Sequence, residues 1–326
     1  MSKNLKRILT GIQSTGVPHL GNILGAIIPA INFSKREDVE SYLFIADLHS
    51  LTQIKDSELL KKNTLYSASA WLAFGLDPKK TTFYRQSDIP QVTELAWYLN
   101  CFYPFNRLAL AHSFKDKKGS LNDINSGLFN YPILMAADIL LYDAHIVPVG
   151  KDQLQHLEIT RSVANRFHNI HGNTFILPKE YLQPETKLII GTDGKKMSKS
   201  KNNTINIFAN ENELKKQIQS IKTDSKSLES PKDWKSCNLF NIYKLLANKE
   251  EAVKMKKNYH NGGYGYGHGK QELLDLILSK YKNEREKFNY YLSNSSEVED
   301  ILHKGAQKAK KTADDVLKRV RKKLGY

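Results

Sequence analysis

The sequence predicts an α/β protein: a parallel sheet covered on both faces, with a smaller all-helical domain after it. Two observations carry this. Short apolar runs alternate with helix-length segments over the first half of the chain, and such alternation needs crossover helices that cover a parallel sheet. Beyond Ser200 the strand-like runs stop and helical periodicity takes over. The 326 residues, 40% of them hydrophobic and 25% charged, supply enough apolar material for two cores.

Arg7-Ile8-Leu9-Thr10 is a buried first strand that runs into a glycine-punctuated loop from Gly11 to Gly16. A helix is expected from Leu20 to about Asn32. Ser41 to Ala46 is a second buried strand. Asp56 and Ser57 offer N-caps for a helix through Leu72, closed by Gly75. Thr81 to Tyr84 gives a third strand, and Met135 to Leu141 an apolar helix. Ile146 to Gly150 gives another strand, and Asp152 to Phe167 a further helix. Near Gly191 glycine and lysine take over as far as Ser200, the pattern of an exposed, mobile loop. The glycine-rich run Asn261–Gly269 reads as a turn between two helices, since no strand precedes it. Ala306, Ala309, Ala313, Val316, Val320 and Leu324 recur every three or four residues, which predicts one amphipathic helix with a basic outer face.

The chain carries 49 Lys and Arg against 34 Asp and Glu, a net charge of +15. A basic excess suits a polyanionic partner, although a Lys-rich composition alone also produces one. Distribution favours the partner: Lys304 to Tyr326 holds nine basic residues and two acids, Asp314 and Asp315. No run of about 18 apolar residues exists to span a membrane. The basic N-terminus lacks the apolar stretch of a secretory signal. The two cysteines, Cys101 and Cys237, cannot alone make a four-ligand zinc or iron–sulfur site. A cytoplasmic location is expected.

Three segments carry chemistry. Gly11-Ile12-Gln13-Ser14-Thr15-Gly16-Val17-Pro18-His19-Leu20-Gly21-Asn22 joins the first strand to a helix. A helix N-terminus suits phosphate, Gly21 permits close approach of a nucleotide, and His19 and Asn22 can donate hydrogen bonds. Lys195-Lys196-Met197-Ser198-Lys199-Ser200 places lysines and a hydroxyl on a loop that can neutralise charge growing on a leaving pyrophosphate. Tyr131-Pro132-Ile133-Leu134-Met135-Ala136-Ala137-Asp138 puts Tyr131, Met135 and Asp138 on one helical face. Met135 is a polarizable wall for a large ring. Asp138 is a carboxylate on an apolar helix and needs a partner, either a ligand N–H or a basic side chain elsewhere.

Together these segments resemble the class I aminoacyl-tRNA synthetases. Lys196-Met197-Ser198-Lys199-Ser200 matches their signature letter for letter, and His19-Leu20-Gly21-Asn22 matches the His-Ile-Gly-His pattern at two of four positions. Asn22 is usual in the tryptophanyl branch. Tyr131–Tyr142 and Val147–His156 look like the amino-acid pocket of its bacterial members. The resemblance runs along nearly the whole chain. It implies a Rossmann-like catalytic domain over 1–204, including the signature loop at 191–203. It further implies a helical anticodon-binding domain over 205–300 and a basic helix over 301–326 that packs back toward the first domain.

The resemblance also implies roles. Leu9, His49, Tyr131, Met135, Asp138, Ile139, Val147, Val149 and Gln153 would bind tryptophan, with Asp138 accepting from the indole N–H. Gln13, His19, Gly21, Asn22, Gly150, Lys151, Asp152 and Ile189 would bind ATP, together with Lys196, Met197, Ser198, Lys199 and Ser200. Lys115, Lys196 and Lys199 would act on the phosphates. Leu9 stands where the family often has an aromatic residue, and Lys151 where it often has an acid. Magnesium would travel on the ATP phosphates, with no protein-bound metal or iron–sulfur cluster. The implied partners are tRNA(Trp), tryptophan, ATP and a second copy of the chain in a homodimer, with no membrane. Rival readings are a tyrosyl-tRNA synthetase, a small-molecule adenylyltransferase and a synthetase-like protein that binds nucleic acid without catalysis.

Overall fold

The computed structural model describes residues 5–110, 125–182 and 189–326. Its centre is β1 (Lys6–Ile12), which pairs in parallel with β2 (Val39–Ile45) on one side and β4 (Ile146–Val149) on the other. β3 (Thr81–Arg85) flanks β2 and β5 (Lys179–Leu182) flanks β4, giving the order β3-β2-β1-β4-β5, with every pair parallel. The reason is legible in β2. Leu43 and Ile45 face one core, while Tyr42 and Phe44 face the other. A strand covered on both sides reads as a continuous apolar run rather than an alternating one. β5 was not anticipated, because Lys179, Glu180, Tyr181 and Leu182 are all exposed and carry no apolar run.

The expected helices form, with shifted ends. Asp56 caps Ser57–Ala73 by accepting from the Leu59 N–H, and Asn125 caps Ser126–Leu140 in the same way. The chain is helical from Leu20 to Ser34, but Ile23–Ile27 forms a π turn. Pro29, which has no N–H to return to residue 25, lies two residues beyond it. The glycine-rich turn is shorter than expected: Lys249–Asn261 ends before it, and Tyr266–Lys280 already includes Gly267 and Gly269.

The helices beyond residue 205 share a core with Leu20–Ser34 and Ser57–Ala73 on one face of the sheet. The opposite face is covered by Gln91–Phe102, Ser126–Leu140 and Leu154–His171. The last helix, Ser295–Leu324, touches both cores: Val298 and Leu302 join the first, Ala306 through Val320 the second. Residues 300 and 301 therefore lie inside one continuous helix. Gly305 sits against the backbone of Phe83 in β3, where an added Cβ would strike the carbonyl. Arg85 to Glu299, Arg319 to Asp143 and Arg321 to Glu94 tie the helix down.

Candidate active site

The site is assembled at the carboxyl ends of the central strands, the usual position for ligands in a parallel sheet. After β1 the loop is held by Ser14, whose N–H donates to Ser50 Oγ at 2.9 Å. The helix that follows is capped reciprocally. The Asn22 N–H donates to His19 Nδ1 at 3.3 Å, and the His19 N–H donates to Asn22 Oδ1 at 3.2 Å. Both side chains therefore shape the turn as well as face it. Burial and the nearby Lys199 ammonium push the His19 pKa down to about 4, so the ring is neutral near pH 7. With Nδ1 accepting, its single proton sits on Nε2.

The Lys196–Ser200 segment lies against this turn. The Gly21 N–H points at Met197 Sδ at 3.3 Å, and a Cβ on Gly21 would collide with the His19 ring. The Met197 side chain is turned into the core, so any nucleotide contact there falls to its backbone. Lys199 Nζ donates to the Thr15 carbonyl at 3.1 Å. Much of the Lys199 stem is exposed, but desolvation around its ammonium lowers the pKa to about 8.

The loop was expected to be mobile, yet it is pinned. The Met197 N–H donates to the Ile189 carbonyl at 2.9 Å. Buried Asn203, which the sequence reading missed, accepts from the Ser198 N–H and donates to Asp193 and the Lys196 carbonyl. Lys196 remains exposed, and Ser198 and Ser200 join hydroxyls at 2.8 Å.

Beside this turn opens a cavity of about 600 Å³. Leu9, His49, Tyr131, Met135, Asp138, Ile139, Val147, Val149 and Gln153 all line it, as do Gln13, Gly150 and Asp152. His19, Gly21, Asn22, Lys151, Ile189 and Lys196–Ser200 do not line it; His19, Gly21, Ile189, Met197 and Lys199 cluster around the neighbouring turn. Gly25 and Ala26 from the following helix also line the cavity, next to Ile189. Lys115 lies outside the described residues.

The cavity's apolar walls enclose one buried acid. Asp138, 3% exposed, accepts from His49 Nε2 at 2.8 Å and from Gln86 Nε2 at 2.7 and 3.0 Å. Burial raises its pKa, and the bonds from His49 and Gln86 oppose that rise. Tyr131 and His156 Nε2 are 2.8 Å apart, and Gln153 donates to Asp152 at 3.1 Å. Gln86 escaped the sequence reading. Its only sign was a polar residue just past β3, where a parallel sheet places functional side chains. Among the described residues no group of three or more His, Cys, Asp or Glu could hold a metal ion, and no helix is long and apolar enough to cross a membrane.

An apolar cavity with one buried acid, next to a helix N-terminus overlaid by lysines, defines a site for an adenylate-forming enzyme. A family model described as tRNA synthetases class I (W and Y) matches residues 1–282. A tryptophan–tRNA ligase of Campylobacter jejuni is 46% identical over 319 residues, 98% of this chain and 99% of that protein. The crystal structure of tryptophanyl-tRNA synthetase from C. jejuni, complexed with ADP and tryptophan, superposes with a TM-score of 0.94. It is 46% identical, covering 98% of this chain and all of that one. The synthetase of Mycoplasma pneumoniae gives a TM-score of 0.81 at 30% identity, over 99% of this chain and 98% of that one. The chain belongs to the class I tRNA synthetase family of the tryptophanyl and tyrosyl enzymes, with its Rossmann-like fold. Within that family its similarity runs to the tryptophan–tRNA ligases.

Proposed function

We propose that this protein is a tryptophan–tRNA ligase that forms tryptophanyl-adenylate from tryptophan and ATP, then charges tRNA(Trp). One observation carries the substrate assignment: Asp138, the buried carboxylate in an apolar cavity of ring-accommodating size. It is an acceptor that can meet the single ring N–H of a large flat substrate. The 46% identical ligase and the matching structure holding tryptophan support the same substrate.

In the first step the tryptophan carboxylate attacks the α-phosphorus of ATP. The P–O bond to the β-phosphate breaks, and its electron pair leaves on pyrophosphate. The attacking carboxylate carries no proton, so no general base is needed. Catalysis then consists of alignment and charge neutralisation. Neutral His19 offers its Nε2 proton to the phosphates or ribose, and Gly21 lets the nucleotide approach the backbone. Lys196 and Lys199, with Lys115, meet the charge that builds on the leaving group, and magnesium is carried on the phosphates. Phosphate beside Lys199 restores its full positive charge, because an adjacent anion favours the ammonium form.

Tyr131 and Gln153 hold the α-amino group, while Leu9, Met135, Ile139, Val147 and Val149 enclose the indole beside His49. Gly150, Lys151 and Asp152 sit at the ribose and adenine, with Gln13, Asn22, Ile189, Met197, Ser198 and Ser200 completing the nucleotide side. In the second step a ribose hydroxyl of the terminal adenosine attacks the adenylate carbonyl and AMP departs. We assign residues 1–204 to catalysis and 205–300 to the anticodon, with the last helix packed on the catalytic part. A cytoplasmic homodimer completes the reading.

The test is pyrophosphate exchange into ATP with each amino acid in turn. Tryptophan alone should support it at low concentration; exchange driven by tyrosine would replace this reading with its nearest rival.

A further inference from the structure

Asp138 does not hold its own position. It sits on the Ser126–Leu140 helix, but its carboxylate is oriented from two other elements. His49 bonds Oδ2, and the Gln86 amide spans both oxygens. A carboxylate has about four lone-pair sites. Three are taken, and the one remaining belongs to Oδ1, on the residue that lines the cavity. Gln86 itself is 1% exposed and lies behind Asp138, outside the cavity lining.

The Gln86 amide can face Asp138 in only one way. An ionised carboxylate accepts and cannot donate, so the NH₂ must point toward it. The carbonyl is thereby turned away, and Gln86 Oε1 has no hydrogen-bond partner among the described residues. A buried orphan acceptor is costly. The amide's orientation is fixed by Asp138, whose two oxygens receive Nε2 at 2.7 and 3.0 Å.

The turn Gln86–Asp88 is also fixed from both ends. The Ser87 N–H donates to Asp47 Oδ1 at 3.0 Å, from the same four-residue helix that carries His49. Arg85 bonds both Asp88 and Glu299 of the last helix.

We propose that Gln86 is a positioning residue for amino-acid selection: it holds the Asp138 carboxylate so that the remaining Oδ1 lone pair meets the indole N–H. This inference rests on the tryptophan reading above. A positioning residue that serves one hydrogen bond should matter only for substrates that make that bond. Gln86→Leu removes both donors, and Gln86→Met does so while keeping length and flexibility.

The experiment compares kcat/KM in pyrophosphate exchange for L-tryptophan and for its benzothienyl analogue, in which sulfur replaces the indole N–H. The wild-type enzyme should strongly prefer tryptophan. In both variants that preference should fall by about tenfold or more, while the KM for ATP stays within about twofold. If both amino acids lose efficiency in proportion, or the preference is unchanged, Gln86 is only structural and the proposal is wrong. If the wild type itself shows no tryptophan-dependent exchange, the parent reading has failed instead.

Discussion

The two halves of the site are built by opposite means. The half proposed to take the amino acid stands on the sheet and one buried helix. Its polar groups are few, desolvated and bonded to one another: Asp138 to His49 and Gln86, Tyr131 to His156. The half proposed to take the phosphates stands on two loops, is rich in lysine and is held by a handful of contacts around Asn203, Met197 and Gly21. Selection between similar side chains depends on buried polar groups that cannot tolerate a missing partner. Charge neutralisation needs cations that can reach and release a diphosphate. The first task favours rigidity and the second favours a surface loop.

Substitutions in the two halves should therefore fail in different ways. The largest effect is expected in the phosphate half. Lys199→Ala should lower kcat for adenylate formation by about 100- to 1,000-fold with little change in the KM for tryptophan. Transfer from preformed adenylate should suffer much less, and equal loss in both steps would point to misfolding. Since the Lys199 pKa is lowered to about 8, the free enzyme loses this charge as pH rises through 8. The ratio kcat/KM for ATP should fall above that pH, and Lys199→Arg should keep it level to higher pH.

In the amino-acid half, Asp138→Asn should lower kcat/KM for tryptophan by about 10- to 100-fold, the worth of one buried polar partner. The KM for ATP should hold. Wild-type kinetics with tryptophan in that variant would remove Asp138 from substrate recognition.

His19, on the turn that Lys199 approaches, links the site to stability. Its folded pKa is about 4, below the ordinary value of 6.5. Between those values the unfolded chain binds a proton that native His19 refuses, so stability falls as pH falls. By pH 4.5 this costs about 2.5 kcal/mol, and the cost vanishes only well above pH 6.5. Urea unfolding of His19→Asn at pH 4.5 and 7 should show a smaller difference than the wild type.

What could be read from the sequence follows the same division. The central strands were legible because Ile8, Leu9 and Leu43–Ala46 are continuous apolar runs, and the cap at Asp56 is a local signal. β5 was not, since an edge strand with four exposed residues owes its form to pairing with β4 rather than to an apolar run. Twelve of the residues lining the cavity were nameable through family resemblance. Gln86 and Asn203 were not, because each acts through a partner 52 or 5 residues away that only the fold identifies. The loop 191–203 looked free because Gly and Lys dominate it. Asn203, which anchors it, looks unremarkable in a string of letters.

The smallest effect is expected farthest from both halves, on the last helix. Its dense basic end, Lys318 to Lys323, is not one uniform face. Arg319 pairs with Asp143 at 2.6 Å, and Arg321 grips Glu94 through two nitrogens. Those two arginines fasten the helix to Asp143 and to the Gln91–Phe102 helix. The exposed lysines Lys304, Lys308, Lys311, Lys318 and Lys322 recur at helical spacing along one stripe. A row of this kind meets a phosphate backbone without reading its sequence, and each contact adds to the salt dependence of binding. Lys318→Glu with Lys322→Glu should weaken tRNA binding several-fold at low salt, the arithmetic of about two lost phosphate contacts. The slope of log affinity against log salt should shrink by about 2, while tryptophan-dependent pyrophosphate exchange, which uses no tRNA, stays unchanged. Arg321→Ala should behave differently: it loosens the helix from Glu94 and lowers the unfolding midpoint, with the salt slope preserved. An unaltered slope in the double lysine variant would mean that the stripe only keeps the protein soluble.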